Sequence, residues 1–326
     1  MQIFANTTYD FVRWRWHAIA FSTLLILAGA FMMATRGIPK GVDFEGGTIV
    51  IVRFDEPRTI QQVRSALSAH MPEGGEAIVQ QYGPAENRDV MIRVRRTGEE
   101  AAGDLSKEAE AVLAALKAAD LGGFRVEGTE IVGPVVGEQL RRQGMLATVL
   151  ALAGILFYIA LRFRLSFAVG AVVAVVHDLA IVMSFMVFFG YELSLNVIAG
   201  LLTITGYSVN DTIVVFDRVR ENLRSMRRDN LAHIVNVAVN QTLARTVITA
   251  GTTLLAVLAL FLFGGEVLRP FAFVMLVGVF FGTYSTVFIA SAIAVMWPGQ
   301  TRQQVKAQPA AAADADIRKP GRRRAS

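Results

Sequence analysis

Apolar residues run in long unbroken stretches, a pattern made neither by an amphipathic surface helix nor by a half-buried strand. A helix that crosses a bilayer needs about 20 such residues. Six stretches qualify, near residues 16–34, 145–161, 165–189, 193–216, 243–263 and 271–297. The first does not read as a cleaved leader: it is long, Asp10 lies ahead of it, and Ala34-Thr35-Arg36 stands where a small-residue cleavage site belongs.

The gap between the first two stretches has a different rhythm. Residues 48–54 are rich in β-branched side chains and predict a strand. Residues 58–69 carry Ile60, Val63 and Leu67 at helical spacing, and residues 77–82 and 90–94 read as strands separated by Gly83-Pro84 and Glu86-Asn87. Residues 105–118 repeat Leu105, Ala109, Val112 and Leu116 at i, i+4, i+7 and i+11, and residues 124–132 are strand-like. The order βαββαβ is the ferredoxin-like split motif. The expected fold is a membrane protein of six transmembrane α-helices with an α+β ferredoxin-like external domain between helices 1 and 2. No nucleophile–base pair, metal cluster or phosphate loop is evident in that domain, and Gly74-Gly75 and Gly122-Gly123 read as turn breakers.

Composition agrees with the pattern. The 326 residues are 53% hydrophobic, and the mean hydropathy of +0.46 is too high for an ordinary soluble domain. There is no cysteine, which excludes disulfides and thiolate metal sites. Four histidines give little basis for a metal centre, and no metal or cofactor is expected. Part of the net charge of +5 sits in Arg318-Lys319 and Arg322-Arg323-Arg324. Beside membrane spans, such a tail reads as an anchor to anionic lipid rather than a nucleic-acid arm.

Basic residues set an orientation. Arg13 and Arg15 precede the first stretch, Arg162 and Arg164 join the second and third, and Arg218, Arg220, Arg224, Arg227 and Arg228 join the fourth and fifth. The alternate connections, Gly190-Tyr191-Glu192 and Gly264-Gly265-Glu266 with Arg269, are poor in positive charge. Both termini are therefore expected in the cytoplasm. The expected division is 1–35 as N-terminus and first helix, 36–141 as the external domain with its hinges, 142–298 as helices 2 to 6, and 299–326 as a disordered basic tail. Hinge signals flank the domain: Asp43, Gly46 and Gly47 before it, and Gly133 with Pro134 after it. Asp43 and Glu45 are only weak candidates for a cation.

Ionisable groups within spans are costly and mark function. Asp178, beside His177, lies near the middle of the third stretch, Asp211 in the fourth, and Arg245 near the start of the fifth. A rise of about 1.5 Å per residue puts Asp211 roughly 9 Å inside the boundary at Asp217 and Asp178 about 20 Å from Arg164. Arg245 is expected at the depth of Asp211, within reach of pairing. His177 projects about 100° from Asp178 on a helix, so the two need not act together. Asn196, Gly200, Thr203, Tyr207 and Asp211 share one helical face, as do Arg245, Thr249, Thr252 and Thr253. With Gly278 and Gly282 as a small-xxx-small pair, and with Thr283 and Ser285 nearby, they suggest a buried seam between helices. Either Asp211 and Arg245 form a static ion pair that fixes packing, or Asp211 is a proton-responsive carboxylate, its proton affinity set by lost hydration against the attraction of the guanidinium. Asn210, Asn240 and Thr246 are polar neighbours of this pair in the sequence.

Several of these motifs resemble one family. Gly41-Val42-Asp43-Phe44-Glu45-Gly46-Gly47-Thr48, Val132-Gly133-Pro134, His177-Asp178, the run from Gly206 to Asn222 and Gln241-Thr242-Leu243-Ala244-Arg245-Thr246 look like the SecF branch of the SecD/SecF family. The resemblance covers about residues 10 to 298. It implies an RND-type half bundle in the bacterial inner membrane, with residues 36–141 in the periplasm. It further implies a twelve-helix complex with SecD, association with the SecYEG translocon and YajC, and a place downstream of the SecA motor. Protons moving down their gradient would drive an unfolded polypeptide outward, with Asp211 and Arg245 on the proton path and Asp178 a lesser candidate. Competing readings are a small-molecule RND exporter subunit, a passive scaffold, and an intramembrane aspartyl protease using Asp178 and Asp211. Against the last stand the different depths of the two acids, the Asn before Asp211, and Arg245, which would keep one acid charged.

Overall fold

The computed structural model describes residues 7–71, 75–83, 88–96, 106–163 and 165–297. Leu105, Arg164, the turn residues Pro84, Glu86 and Asn87, Gly74 and the tail 299–326 lie outside the described residues. In chain order the elements are α1 (Arg15–Arg36), α2 (Val42–Glu45), β1 (Gly47–Phe54), α3 (Ile60–His70), β2 (Gly75–Tyr82), β3 (Asp89–Arg96), α4 (Ser106–Ala118) and β4 (Phe124–Val132). There follow α5 (Pro134–Arg162), α6 (Leu165–Phe189), α7 (Leu195–Ser225), α8 (Leu231–Phe263), α9 (Gly265–Ser285), one π-helical turn (Thr286–Ala290) and α10 (Ser291–Met296).

Among the described residues six helices are long and apolar enough to cross a membrane, the last running through the π-turn from α9 into α10. The chain is a multi-pass membrane protein. The α7 and α8 helices extend past the expected bounds of 216 and 243, to 31 and 33 residues. At about 1.5 Å per residue they are roughly 46 and 50 Å long, well over the ~30 Å of hydrocarbon. Hydropathy registers only the embedded part. The extension of α8 is held by packing: Leu231, Ile234, Val235, Ala238 and Val239 are buried in one cluster with Val215, Phe216 and Val219 of α7. Ser194 caps α7 by accepting from the amide of Val197 at 3.3 Å, and Asn230 caps α8 by accepting from that of His233 at 2.7 Å.

The four strands form one sheet in the order β2-β3-β1-β4, every neighbour antiparallel. Both crossovers are helices, as the sequence order requires. Thr59 and Gln62 close a capping box at the start of α3. Val50, Val52, Val79, Val90, Ile92 and Val94 point to one face, where Val63 and Leu67 of α3 and Val112 and Leu116 of α4 bury them. The other face carries Ile49 and Ile51, packed with Tyr82, Met91 and Val132.

In the bundle, α6, α7 and the last span are the interior helices, and α1, α5 and α8 lie outside them. A close seam joins α7 to α9. A Cβ on Gly278 would sit 2.2 Å from Ile204 Cδ1, and one on Gly282 would sit 3.2 Å from Ser208 Cβ. At Gly278 an added side chain would collide with Ile204, and at Gly282 it would crowd Ser208, so the expected small-residue pair lets the two helices pack closely.

Candidate functional site

Two carboxylates occupy the bundle, and their surroundings differ. Asp178 on α6 is 1% exposed. Its Oδ1 meets His177 Nδ1 at 3.0 Å, while its Oδ2 accepts from Ser208 on α7 at 2.5 Å and from Ser285 on α9 at 2.8 Å. One acid therefore pins three helices together. His177 acts with it after all: the ring turns along the helix to reach the neighbouring carboxylate, a motion that the 100° between Cβ vectors does not forbid. The ring also stacks on Tyr284, whose hydroxyl donates to the Ala18 carbonyl of α1 at 2.7 Å.

Asp211 on α7 is only half buried, with the exposed Asn210 beside it. Its Oδ1 accepts from Thr246 of α8 at 2.8 Å, and its Oδ2 is buried without a hydrogen-bond partner. The adjacent Thr212 hydroxyl meets that of Thr286, the first residue of the π-turn, at 2.9 Å. Thr286 follows Ser285 in sequence, so the hydroxyl that serves Asp178 and the one that meets Thr212, beside Asp211, are neighbours along one span. Asp178 and Asp211 are also closer in depth than their distances from the span ends suggest. Asp178 touches Ser208, three residues before Asp211, an axial offset of about 4.5 Å. Counting failed because its two starting points, Arg164 before α6 and Asp217 near the end of α7, were taken to lie at one level.

The ion pair between Asp211 and Arg245 is not formed. Thr246, the next residue along α8, takes the place beside the acid, and Arg245 is exposed on the outside of the bundle. The reason is rotational: Thr246 is the buried residue of that turn and Arg245 lies on its flank. The polar faces expected to form an internal seam are likewise open in part. Asn196, Thr203, Thr249 and Thr252 are exposed, although Gly200 is buried. An outward face with an acid, a guanidinium, amides and hydroxyls runs along α7 and α8 at membrane depth.

Other sequence candidates lie elsewhere. Asn240 is not beside the acid. With Asn236 it clamps the chain ahead of α1, donating to the Tyr9 carbonyl at 2.8 Å and accepting from the Tyr9 amide at 3.0 Å. Asp43 caps α7, its Oδ2 accepting from the Leu195 amide at 2.8 Å, a favourable place for a negative charge. Gly46 and Gly47 have φ of 73° and 130°, where a side chain would be strained. Gly133 is the N-cap of α5 and Pro134 its first residue. Among the described residues no group of acids and histidines has the make-up of a metal site. Ser208, Thr212, Ser285 and Thr286 complete the network; of these the sequence pointed only to Ser285, as a polar residue near the Gly278–Gly282 seam.

Comparison with known proteins points one way. Residues 112–300 match the family described as protein export membrane protein SecD/SecF, C-terminal, and residues 31–57 match the SecD/SecF GG motif. A protein translocase subunit SecF of Vibrio alginolyticus is 41% identical over 89% of this chain and 90% of its own length. One from Magnetococcus marinus is 44% identical over 95% of this chain and 99% of its own. A crystal structure of SecDF, a translocon-associated membrane protein from Thermus, is 37% identical with a TM-score of 0.79. That match covers 91% of this chain but 39% of the solved one. A SecDF in a super-membrane-facing form is also 37% identical, with a TM-score of 0.66 over 93% of this chain and 40% of its own.

Proposed function

The chain belongs to the SecD/SecF family of protein-export membrane proteins, and on that premise we propose that it is the SecF-type subunit of a protein translocase, coupling proton movement through the bilayer to export of unfolded polypeptide. One observation carries the coupling: a half-buried carboxylate, Asp211, keeps a buried oxygen without a hydrogen-bond partner, next to a polar face of α7 and α8 on which Asn210, Arg245 and Thr249 are exposed. A guanidinium facing lipid is costly, so Arg245 and its polar neighbours call for a protein cover. A SecD-type partner of six further helices supplies that cover and a second acid. The site is then a narrow polar gap between subunits in which Asp211 takes up and releases a proton, Arg245 tunes its affinity, and Thr246 holds its orientation. Asp178, bonded on both oxygens, keeps the three interior helices in register and is a lesser stop on the path.

The basic end of the bundle, with Arg13, Arg162, Arg218 and Arg224, faces the cytoplasm of a bacterium, and the α+β domain of residues 36–141 lies in the periplasm beyond the inner membrane. SecYEG, YajC and the SecA motor are the expected assembly around it. One proton crossing the potential releases about 2.3 kcal/mol per 100 mV, enough to bias two arrangements that differ by a few kcal/mol.

The test uses the chain with its partner and translocon in vesicles. Asp211→Asn and Arg245→Met are expected to assemble normally and to lose gradient-driven export. Export equal to the parent's sinks the proposal, and loss of assembly in both variants favours a scaffold. The protease reading has no support: the two acids share no hydrogen bond, and the relatives are translocase subunits.

A further inference from the structure

We infer that the ion pair between Arg93 and Glu192 is the coupling that carries motion of the acid-bearing helices into the α+β domain, an inference that rests on the proton-coupled reading above. Glu192 lies in the short turn between α6, which brings Asp178, and α7, which brings Ser208 and Asp211. Any shift of one of these helices against the other is felt at that turn. Arg93 projects from β3 on the sheet face that has no helices, with Ile49 and Ile78 as its cross-strand neighbours. It is 5% exposed, and its two terminal nitrogens each bind one oxygen of Glu192. Such a fork fixes direction as well as distance, so the pair transmits rotation and not tension alone.

The same turn has a second tie to the chain before β1. The Gly41 amide donates to the Leu193 carbonyl at 2.7 Å, the Leu193 amide donates to the Pro39 carbonyl at 2.8 Å, and Asp43 accepts from Leu195. That tie ends at Gly46 and Gly47, whose backbone swivels most easily. The ion pair bypasses the swivel. It enters the sheet at β3, which is bonded on both edges to β1 and β2, so a push on Arg93 moves the sheet as a body. A hinge on one side with a rigid strut on the other is a lever.

The experiment is charge exchange in vesicles holding the full complex. Gradient-driven export is measured beside ATP-driven export without a gradient, with assembly scored by co-purification. Arg93→Glu and Glu192→Arg are each expected to lower gradient-driven export about tenfold and to leave ATP-driven export unchanged. A merely structural role would lower both. The double exchange is expected to recover export to within about threefold of the parent. Single variants at the parent's rate overturn the inference, as does an assembled double exchange no better than the singles. If the reversed pair fails to assemble, Glu192→Gln decides: it keeps the size and an acceptor, and parental gradient-driven export by this variant also overturns the inference. Asp211→Asn runs in parallel. If that variant is inactive while the Arg93 and Glu192 variants are normal, only the coupling falls. If it exports normally, the proton-coupled reading falls and the coupling with it.

Discussion

At the scale of single residues, Asp178 and Asp211 are the same amino acid in two settings. Asp178 has three hydrogen-bond partners on three helices, whereas Asp211 accepts from Thr246 through one oxygen and leaves the other without a geometric hydrogen bond. The first ties helices together, and the second is the one proposed to respond to protons. In Asp178→Asn the remaining oxygen can still accept from Ser208 and Ser285, so the melting temperature of the purified chain is expected to stay within a few degrees of the parent's. In Asp178→Leu the Ser208 hydroxyl loses its acceptor, at about 1–3 kcal/mol for a buried donor. A clear drop in melting temperature for Leu but not for Asn is the expected result; equal drops would show that charge itself stabilises the bundle. Both acids were legible in the sequence because a carboxylate inside an apolar run has few structural excuses. Thr246 stood out as a polar neighbour and Ser285 as part of the seam, but the bonds of Ser208 and Ser285 to Asp178 were not legible. Serine and threonine are common in membrane helices and often bond only to their own backbone one turn earlier, as Thr203 does to Ala199 and Thr252 to Ile248. Nothing in composition separates these from Ser208 and Ser285.

At the scale of elements, the α7–α9 seam decides how the polar groups meet. Gly278 and Gly282 bring α9 close enough for Ser285 to share an acid with Ser208, and the π-turn that follows directs Thr286 to Thr212. Extra turns of this kind are frequent at functional sites because they rotate the residues beyond them. Gly278→Leu drives a side chain into Ile204, and overpacking of this sort costs about 1–3 kcal/mol or more. The variant is expected to melt lower and to export less. Gly154→Ala on α5 is the control, since nothing lies within 4 Å of the added carbon; it is expected to be neutral or up to about 1 kcal/mol stabilising. A Gly278→Leu variant as stable as the parent would show that the seam is looser than its geometry implies. The small-residue pair was visible beforehand as a spacing, but the π-turn was not, because the run Thr286-Val287-Phe288-Ile289-Ala290 contains no helix breaker.

At the scale of the whole molecule, a polar face stands open along α7 and α8, and the Arg93–Glu192 pair ties the bundle to the α+β domain. A bulky residue on that face is expected to keep the partner away. Thr249→Trp is expected to abolish co-purification with SecD, whereas Leu255→Trp, an apolar position on the same helix that is 69% exposed, is expected to leave it intact. Equal co-purification of both would place the partner elsewhere. The sequence by itself determined the six spans, the order βαββαβ and the two intramembrane acids, since each is a local matter: apolar length, side-chain periodicity and the cost of charge in hydrocarbon are written along the chain. Only the tertiary structure decided that Arg245 faces outward while Thr246 serves the acid, that Asn240 holds Tyr9, and that Arg93 meets Glu192 across 99 residues of sequence. Those outcomes depend on how each helix is rotated and where one end lands against another, which is fixed by packing summed over the whole bundle and leaves no mark in any one stretch of sequence.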